Sequence, residues 1–308
     1  MPPRFRSAVS AALIALSSLL VPFGALAAWA SYGLADTGRY VTTMAPLSAD
    51  PDVRNAVADT VGAGIMREVD HKFDGRPVRG SVGPFVHDAV HSFTQTEAFR
   101  LAWDAGNRAT HDAVLRALRD EHDEAGLAGG PVTVDLAPVT AQVKQQLAED
   151  HVPLADRIPV EHTALAVLPA GELAGLRKGF HVLEVAGFWL PVAAVVFAVA
   201  GIALAVHRRR AVTATALGTA LGGALLGVAL AIGRRLTLAD LPADVSRPAA
   251  GAVYDALTAT LHTVAWLLIG LGLTVALTTL LTRYVRLRRL ARRRAAEAKV
   301  PAPSRARV

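Results

Sequence analysis

Two histidines four residues apart give this sequence its nearest approach to a metal-binding motif. His87 and His91 would lie on one side of a helix, at the spacing that zinc-binding helices use. The glutamate of a zinc-protease helix is missing, because Asp88 follows the first histidine, and the spacing supplies no third ligand. We therefore interpret the pair as solvated residues beside an apolar helix face, with a metal site as the alternative.

A cluster of acidic residues offers a second candidate, because carboxylate oxygens bind hard cations. Asp120, Glu121, Asp123 and Glu124 precede a glycine-rich break, but they lack the alternating ligand positions of a calcium loop. Acidic side chains are also unfavourable at a helix C-terminus. The cluster therefore indicates the exposed end of a helix, with cation binding as the alternative.

A stripe of aromatic and polar side chains is the strongest candidate for a functional site. Phe99, Trp103, Asn107, His111 and Leu115 recur at intervals of four and so share one face of a helix. A buried amide and a buried imidazole need hydrogen-bond partners, so we expect Asn107 and His111 to join this helix to its neighbours. A small-molecule pocket facing Trp103 is the alternative.

No sequence motif of an enzyme class accompanies these residues. The chain lacks the Gly-x-Ser-x-Gly, P-loop, dinucleotide-binding and His-Glu-x-x-His patterns. We therefore predict a protein that is not an enzyme, with no catalytic residue, no cofactor or cofactor-binding residue, and no metal ligand.

The elements that must position these side chains are mostly helices. Asp50 and Pro51 predict the start of a helix with Val53, Val57, Val61 and Ile65 on one face. Further helices are predicted over 82–93, 96–119 and 138–151, and short strands over 132–136 and 163–168 that pair with each other. The apolar face of the second helix is expected to comprise Val82, Phe85, Val86, Ala89, Val90 and Phe93.

Four long uncharged stretches decide the class of protein. The 308 residues are 52% hydrophobic and include no cysteine, which excludes disordered, collagen-like and disulfide-stapled chains. Residues 7–31, 185–206, 211–233 and 263–282 each reach the roughly 20 residues that a helix needs to cross a membrane. The fold class is therefore a mainly α membrane protein, with four transmembrane helices and a mostly helical domain that contains a small β element.

The arginines predict how the chain is oriented. With both termini in the cytoplasm, the cytoplasmic flanks carry fifteen Lys or Arg, including Arg208, Arg209 and Arg210, and the short outer loop carries three. We therefore predict a multi-pass plasma-membrane protein with cytoplasmic ends. Its segments are an N-terminal end and anchor (1–31), an extracytoplasmic domain (32–182), three further spans (183–283) with an outer loop (234–262), and a basic cytoplasmic tail (284–308).

The spans raise four further expectations. An uncleaved anchor is favoured over a secretion signal, because the first apolar region is longer than a signal peptide requires. Helices over 171–206 and 246–282 exceed the bilayer thickness and should dock on the outer domain. Pairs of glycines four residues apart, at 218 and 222 and at 223 and 227, indicate close helix packing, with homo-oligomer formation as the alternative. Glu184 is expected to pair with Arg234 or Arg235.

Charge also predicts the partners. The segment 32–182 has 21 acidic against 14 basic residues, so the basic balance of the chain comes largely from the tail, and we expect no nucleic-acid partner. The lipid bilayer is the expected partner, with anionic-lipid contact by the tail. A protein partner or a second copy of the chain is a further candidate.

Several short runs carry a resemblance. They are Tyr40-Val41, Ala45-Pro46-Leu47, Asp50-Pro51, Ala102-Trp103, Asn107-Arg108, His111 and Val134-Asp135-Leu136-Ala137-Pro138-Val139. Together they resemble a family of actinobacterial integral membrane proteins with no assigned biochemical function. The resemblance covers most of the chain and implies one anchor, an outer domain and three further spans, but no catalytic residue.

Three classes of function follow. We favour a non-enzymatic envelope protein that binds, scaffolds or senses. The alternative is an accessory or permease-like component of a transport system, since one span, a large outer domain and three spans also describe mechanotransmitting ABC permeases. Residues 207–210, the cytoplasmic link between the second and third spans, leave no room for a helix that would engage an ATPase, which argues against this alternative. A metal-dependent envelope enzyme, supported by His87 and His91, is third.

Overall fold

The computed structural model describes residues 3–72, 79–119, 132–135, 140–141, 144–146, 148, 164–168 and 170–297. Within this part of the chain the fold is mainly α, as predicted. The helices are α1 (Pro3–Trp29), α2 (Thr37–Met44), α3 (Pro51–Lys72), α4 (Arg79–Phe93), α5 (Glu97–Arg119), α6 (Ala170–Leu204), α7 (Arg208–Ala239) and α8 (Arg247–Glu297). A π-helical turn (Ala30–Leu34) precedes α2, and a 3-10 turn (Ala45–Ala49) follows it.

The helices α3, α4 and α5 lie where the sequence periodicity predicts them. Asp50 caps α3 as expected, because its Oδ1 accepts hydrogen bonds from the amides of Asp52 and Val53 at 2.9 and 3.2 Å. Thr96 caps α5 in the same way, since its hydroxyl accepts from the Phe99 amide at 3.2 Å. These caps satisfy backbone donors that a helix N-terminus leaves unpaired.

Two short strands, β1 (Val132–Asp135) and β2 (Ala164–Leu168), pair antiparallel, with Val134 opposite Leu165. Between them, residues 140–141, 144–146 and 148 are helical, and the rest of the helix predicted over 138–151 lies outside the described residues. The acidic cluster 120–124 also lies outside them.

Among the described residues, four helices are long and apolar enough to cross a membrane, as the sequence predicts. The apolar windows lie within Arg4–Leu34, Gly175–Leu204, Arg208–Ala239 and Arg247–Arg286. Within the segment 234–262 that is predicted as the outer loop, α7 continues to Ala239 and α8 begins at Arg247. A charged residue ends an uncharged stretch of sequence but does not break the hydrogen bonds of a helix. These helices therefore extend beyond their uncharged segments. The Ser246 hydroxyl caps α8 by accepting from the Ala249 amide at 3.4 Å.

The chain divides into two compact units. The first unit comprises Met1–Ala25, Trp189–Val228 and His262–Val308, and the second comprises Leu26–Phe188 and Ala229–Leu261. The second unit therefore contains most of the predicted outer domain together with the adjoining ends of α7 and α8.

In the first unit, α1 packs on α6 through small polar residues. The hydroxyls of Ser10 and Ser17 are buried and donate to the carbonyls of Gly201 and Ala194 at 2.6 and 2.8 Å. Gly24, seven residues after Ser17, lies so close to Pro191 that a Cβ there would be 3.1 Å from the proline nitrogen. The period of seven is that of packed helix pairs, and small residues at the interface let the backbones approach.

The glycines of α7 also pack within the chain, as predicted. A Cβ on Gly218 or Gly222 would meet Ser18 of α1, and one on Gly223 would lie 2.8 Å from the Ala265 carbonyl oxygen of α8. Gly227 has nothing within 4 Å of the place a Cβ would take. Three of the four glycines therefore permit contact between helices.

The second unit has a small core at the end of α2. Met44, Leu47 and Val53 are buried there. The beginning of α8 packs on this core, as expected of a helix that extends beyond its apolar span. The packed residues are Ala249, Ala252, Val253, Ala256 and Leu257.

The apolar faces predicted for α3 and α4 are only partly buried. Val53 is buried and Val57 packs against it, but Val61 and Ile65 of α3 are 43% and 40% exposed. Phe85, on the predicted apolar face of α4, is 74% exposed. The periodicity identified the helices correctly. Among the described residues, however, only one end of each apolar face is buried by other side chains.

Substitution of Gly223 by leucine tests the packing of α7. Gly223→Leu should lower the free energy of unfolding by about 1–3 kcal/mol, because the side chain must displace the α8 backbone. Gly227→Leu is the matched control, since it makes the same change in open space. Thermal unfolding of the purified protein in detergent measures both, and equal melting temperatures for the two variants would contradict this packing.

Candidate functional site

The candidate site is organised by three side chains of α5. The indole Nε1 of Trp103 donates to the Met44 carbonyl at 2.9 Å, at the C-terminal end of α2. At the other end, the Nε2 atom of His111 and a guanidinium nitrogen of Arg119 bond the carbonyls of Leu34 and Ala35 at 2.9 and 2.8 Å. These carbonyls belong to a helix end, where they lack intrahelical partners. The helix α5 therefore fixes both ends of α2.

The predicted stripe thus serves mainly to join helices. His111 confirms this structural role through its bond to Leu34, before α2. Trp103, which the sequence did not select for this role, adds a bond to Met44, the last residue of α2. Asn107 does not join the helices, because its amide donates to the Trp103 carbonyl of its own helix at 2.8 Å. The Trp103 ring packs against the core formed by Met44, Leu47 and Val53.

His111 has polar and aromatic neighbours on every side. Its ring stacks on Tyr40 with centroids 4.1 Å apart and an interplanar angle of 18°. Its Nδ1 atom lies 3.1 Å from the Thr37 hydroxyl, which in turn donates to Oδ1 of Asp112 at 2.5 Å. Sequence analysis missed Thr37, because it lies far from His111 along the chain.

The hydrogen count of this network limits its chemistry. The Leu34 carbonyl can only accept, so Nε2 of His111 carries a proton, and Nδ1 of the neutral ring is an acceptor. The Thr37 hydroxyl has one hydrogen for two acceptors, and the charged, closer carboxylate of Asp112 takes it. His111 is therefore not placed to remove the Thr37 proton, as the base of a nucleophile–base pair would.

Burial changes the acidity of both stacked rings. It lowers the pKa of His111, and this effect outweighs the Leu34 hydrogen bond and the nearby carboxylates of Asp112 and Asp36, which favour the charged ring. Arg119 also disfavours the imidazolium. Burial raises the pKa of the Tyr40 phenol. Both side chains are consequently neutral at pH 7.

A polar cavity of about 740 Å³ adjoins this network. Two carboxylates, of Asp36 and Asp112, and two guanidinium groups, of Arg116 and Arg119, line it together with the Thr37 side chain. The Arg119 guanidinium is held in place, because it bonds the Ala35 carbonyl and lies 5.8 Å from the centre of the Phe180 ring. Charges of both signs therefore face one cavity.

The four charged side chains keep part of their binding capacity. In the described structure each carboxylate accepts through Oδ1: that of Asp36 from the Arg39 amide, and that of Asp112 from the Thr37 hydroxyl. Arg116 bonds only the Asp112 carbonyl of its own helix, at 3.2 Å, in the described part of the chain. The charges are thus available to a molecule in the cavity.

In the described structure, each histidine of α4 lies beside a polar partner. Nε2 of His87 lies 3.1 Å from Oδ1 of Asp59 on α3, a partner that the sequence spacing did not reveal. Nδ1 of His91 lies 3.2 Å from the Gln95 amide nitrogen. Among the described residues no group of three or more histidine or carboxylate side chains could hold a metal ion.

The expected partner of Arg234 is wrong. Arg234 makes a two-point ion pair with Asp255 of α8, with nitrogen–oxygen distances of 2.8 and 3.0 Å, rather than with Glu184. Because α7 and α8 are connected by a short turn, their facing residues are brought together. The Tyr254 hydroxyl donates to the Leu230 carbonyl at 2.9 Å and joins the same helices.

Comparison of the chain with protein-family models, with curated proteins and with solved structures gave no match in any of the three. The resemblance to actinobacterial membrane proteins therefore stays a prediction. The function must be inferred from the geometry.

The lowered pKa of His111 predicts how stability depends on pH. Below about pH 6.5 the unfolded chain binds a proton at this residue more readily than the folded chain does, so stability should fall as the solution is acidified. His111→Gln should flatten this dependence between pH 7 and pH 5. Melting temperatures in detergent measure it, with His87→Gln, an exposed histidine, as the control. The assignment fails if both variants keep the wild-type slope.

Proposed function

We propose that this chain is a non-enzymatic, multi-pass protein of the plasma membrane that binds a small zwitterionic molecule on the extracytoplasmic side. Both termini would lie in the cytoplasm, and residues 32–182 would form most of the exported binding domain. The observation that carries the proposal is the cavity lined by Asp36, Asp112, Arg116 and Arg119.

The membrane assignment is supported by the composition and packing of the apolar helices. Their outward surfaces expose large hydrophobic side chains such as Phe188, Leu221 and Leu271, which lipid would cover. The bonds of Ser10 and Ser17 to α6 satisfy hydroxyls that would otherwise be unpaired in hydrocarbon. These bonds also support an uncleaved first helix.

The proposed orientation, with the turn between α6 and α7 in the cytoplasm, is supported by the arginine distribution. That turn comprises only residues 205–207. It is too short to form a helix that engages an ATPase, which argues against the transport alternative.

The ligand class follows from charge and size. A cavity of about 740 Å³ lies within the range of small-molecule sites. Asp36 and Asp112 favour an ammonium group, whereas Arg116 and Arg119 favour a carboxylate. A ligand with both groups, such as an amino acid or a short peptide with free termini, matches the cavity better than an ion of one sign. The commitment of the Thr37 hydrogen to Asp112 supports binding rather than catalysis.

Thermal shift of the full chain in detergent tests the ligand. Diglycine and triglycine should raise the melting temperature in a saturable way, by the equivalent of about 2.7 kcal/mol at 100 times the dissociation constant. N-acetyldiglycine lacks the ammonium group, and diglycine methyl ester lacks the carboxylate, so each should act weakly.

Matched arginine variants localise the effect. Arg116→Gln should reduce the peptide-induced shift strongly, whereas Arg108→Gln, an exposed arginine on the same helix outside the cavity, should leave it unchanged. The proposed ligand class is wrong if the peptides produce no shift, or if the blocked peptides act equally well.

Single cysteines test the orientation, because the natural chain has none. A membrane-impermeant maleimide should label Arg108→Cys in intact cells but Arg209→Cys only after permeabilisation. Both positions are exposed, so accessibility of the side chain does not distinguish them. The reverse pattern would invert the proposed topology.

A further inference from the structure

A second cavity, of about 640 Å³, lies within the first unit between α1 and the beginning of α7. Small residues line much of it, including Ala11 and Ala15 of α1 and Ala214 of α7. Leu221 and Leu225 line it further along α7 and are 61% and 52% exposed. The cavity is thus an apolar groove with an open side.

The packing of α1 on α7 explains why the groove stays open. Gly218 and Gly222 bring α7 against Ser18, as their missing Cβ atoms allow. The alanines nearer the start of α7 have side chains too short to fill the space beside this contact. In a membrane such a groove is filled by hydrocarbon, because neither water nor a polar group is stable there.

One end of the groove is basic. His207 and Arg210 line it there, and no carboxylate is among the described residues that form the cavity. Both side chains are exposed. An anionic group with an attached apolar chain therefore matches the two ends of the groove.

We infer that this groove binds one molecule of an anionic phospholipid, with its phosphate at His207 and Arg210 and one acyl chain extending toward Leu225. Fifteen residues of α7 separate Arg210 from Leu225, a helical rise of about 22 Å. This exceeds half of the roughly 30 Å hydrocarbon thickness, so the groove can hold an acyl chain of one leaflet. The inference rests on the proposed membrane placement but not on the zwitterion site.

The proposed topology places this basic end at the cytoplasmic leaflet, where anionic lipids attract arginine. The site differs from general attraction of the basic tail, because it requires one arginine and one groove. That requirement makes it testable with matched variants.

The charge is tested by titrating the full-length protein in nonionic detergent with phosphatidylglycerol and with phosphatidylcholine of the same chains, followed by native mass spectrometry. Phosphatidylglycerol should bind more tightly. Arg210→Gln should weaken that binding about fivefold, the effect of one charge near the membrane surface. Arg209→Gln removes the same charge from the adjacent residue, which does not line the groove, and should have little effect.

The groove is tested by filling it. Ala214→Phe should weaken phosphatidylglycerol binding about tenfold, whereas Ala224→Phe, at an exposed alanine of α7 outside the groove, should not. Ala11→Phe fills the groove from α1 and replaces Ala214→Phe if that variant unfolds. Dihexanoyl phosphatidylglycerol and inorganic phosphate should compete poorly, since they lack a long chain.

Three results would overturn the inference: equal affinity for the two lipids, equal loss in each matched pair of variants, or effective competition by inorganic phosphate. Carbonate extraction of membranes distinguishes failure of the lipid-site inference from failure of the proposed membrane placement. A protein that stays in the extracted membranes but fails the lipid test lacks only the groove site, whereas a protein released by carbonate lacks the proposed membrane placement.

Discussion

The helices of the second unit are joined at the carbonyls of Leu34 and Ala35, which the end of the π-helical turn leaves without partners in a helix. A helix end leaves acceptors that must find donors, and here the donors come from His111 and Arg119. Trp103 performs the same task at the far end of α2. These side chains are spaced eight residues apart on α5, and α2 spans eight residues, so one helix holds both ends of the other.

This arrangement also creates the polar cavity. Because Arg119 and His111 approach the carbonyls from α5, their neighbours Asp112 and Arg116 face the beginning of α2, where Asp36 and Thr37 lie. On α5, the residues that bond the carbonyls before α2 therefore alternate with the residues that line the cavity. Binding of the proposed ligand should therefore be coupled to the stability of the contact between α5 and α2, since both use the same local geometry.

The first unit achieves close packing by a different means. Its helices approach through serine and glycine, so that hydroxyl groups bond backbone carbonyls across the interface. Such contacts need little side-chain volume, and where alanines adjoin them the interface opens into a groove. The same preference for small residues thus produces both tight contact and the proposed lipid site.

The helices could be predicted from the sequence, because hydrophobic periodicity and apolar length are local properties. The sequence placed α3 to α5 and the four membrane-length helices, and it identified Asn107 and His111 as residues that need hydrogen-bond partners. The tertiary structure was needed to identify the partners of the polar side chains. These are Thr37 and Leu34 for His111, Asp255 for Arg234, and Asp59 for His87. These pairs are distant in the chain, and neither spacing nor periodicity encodes a contact between helices. For the same reason the mixed-charge cavity, whose residues come from the start of α2 and the end of α5, was not predicted.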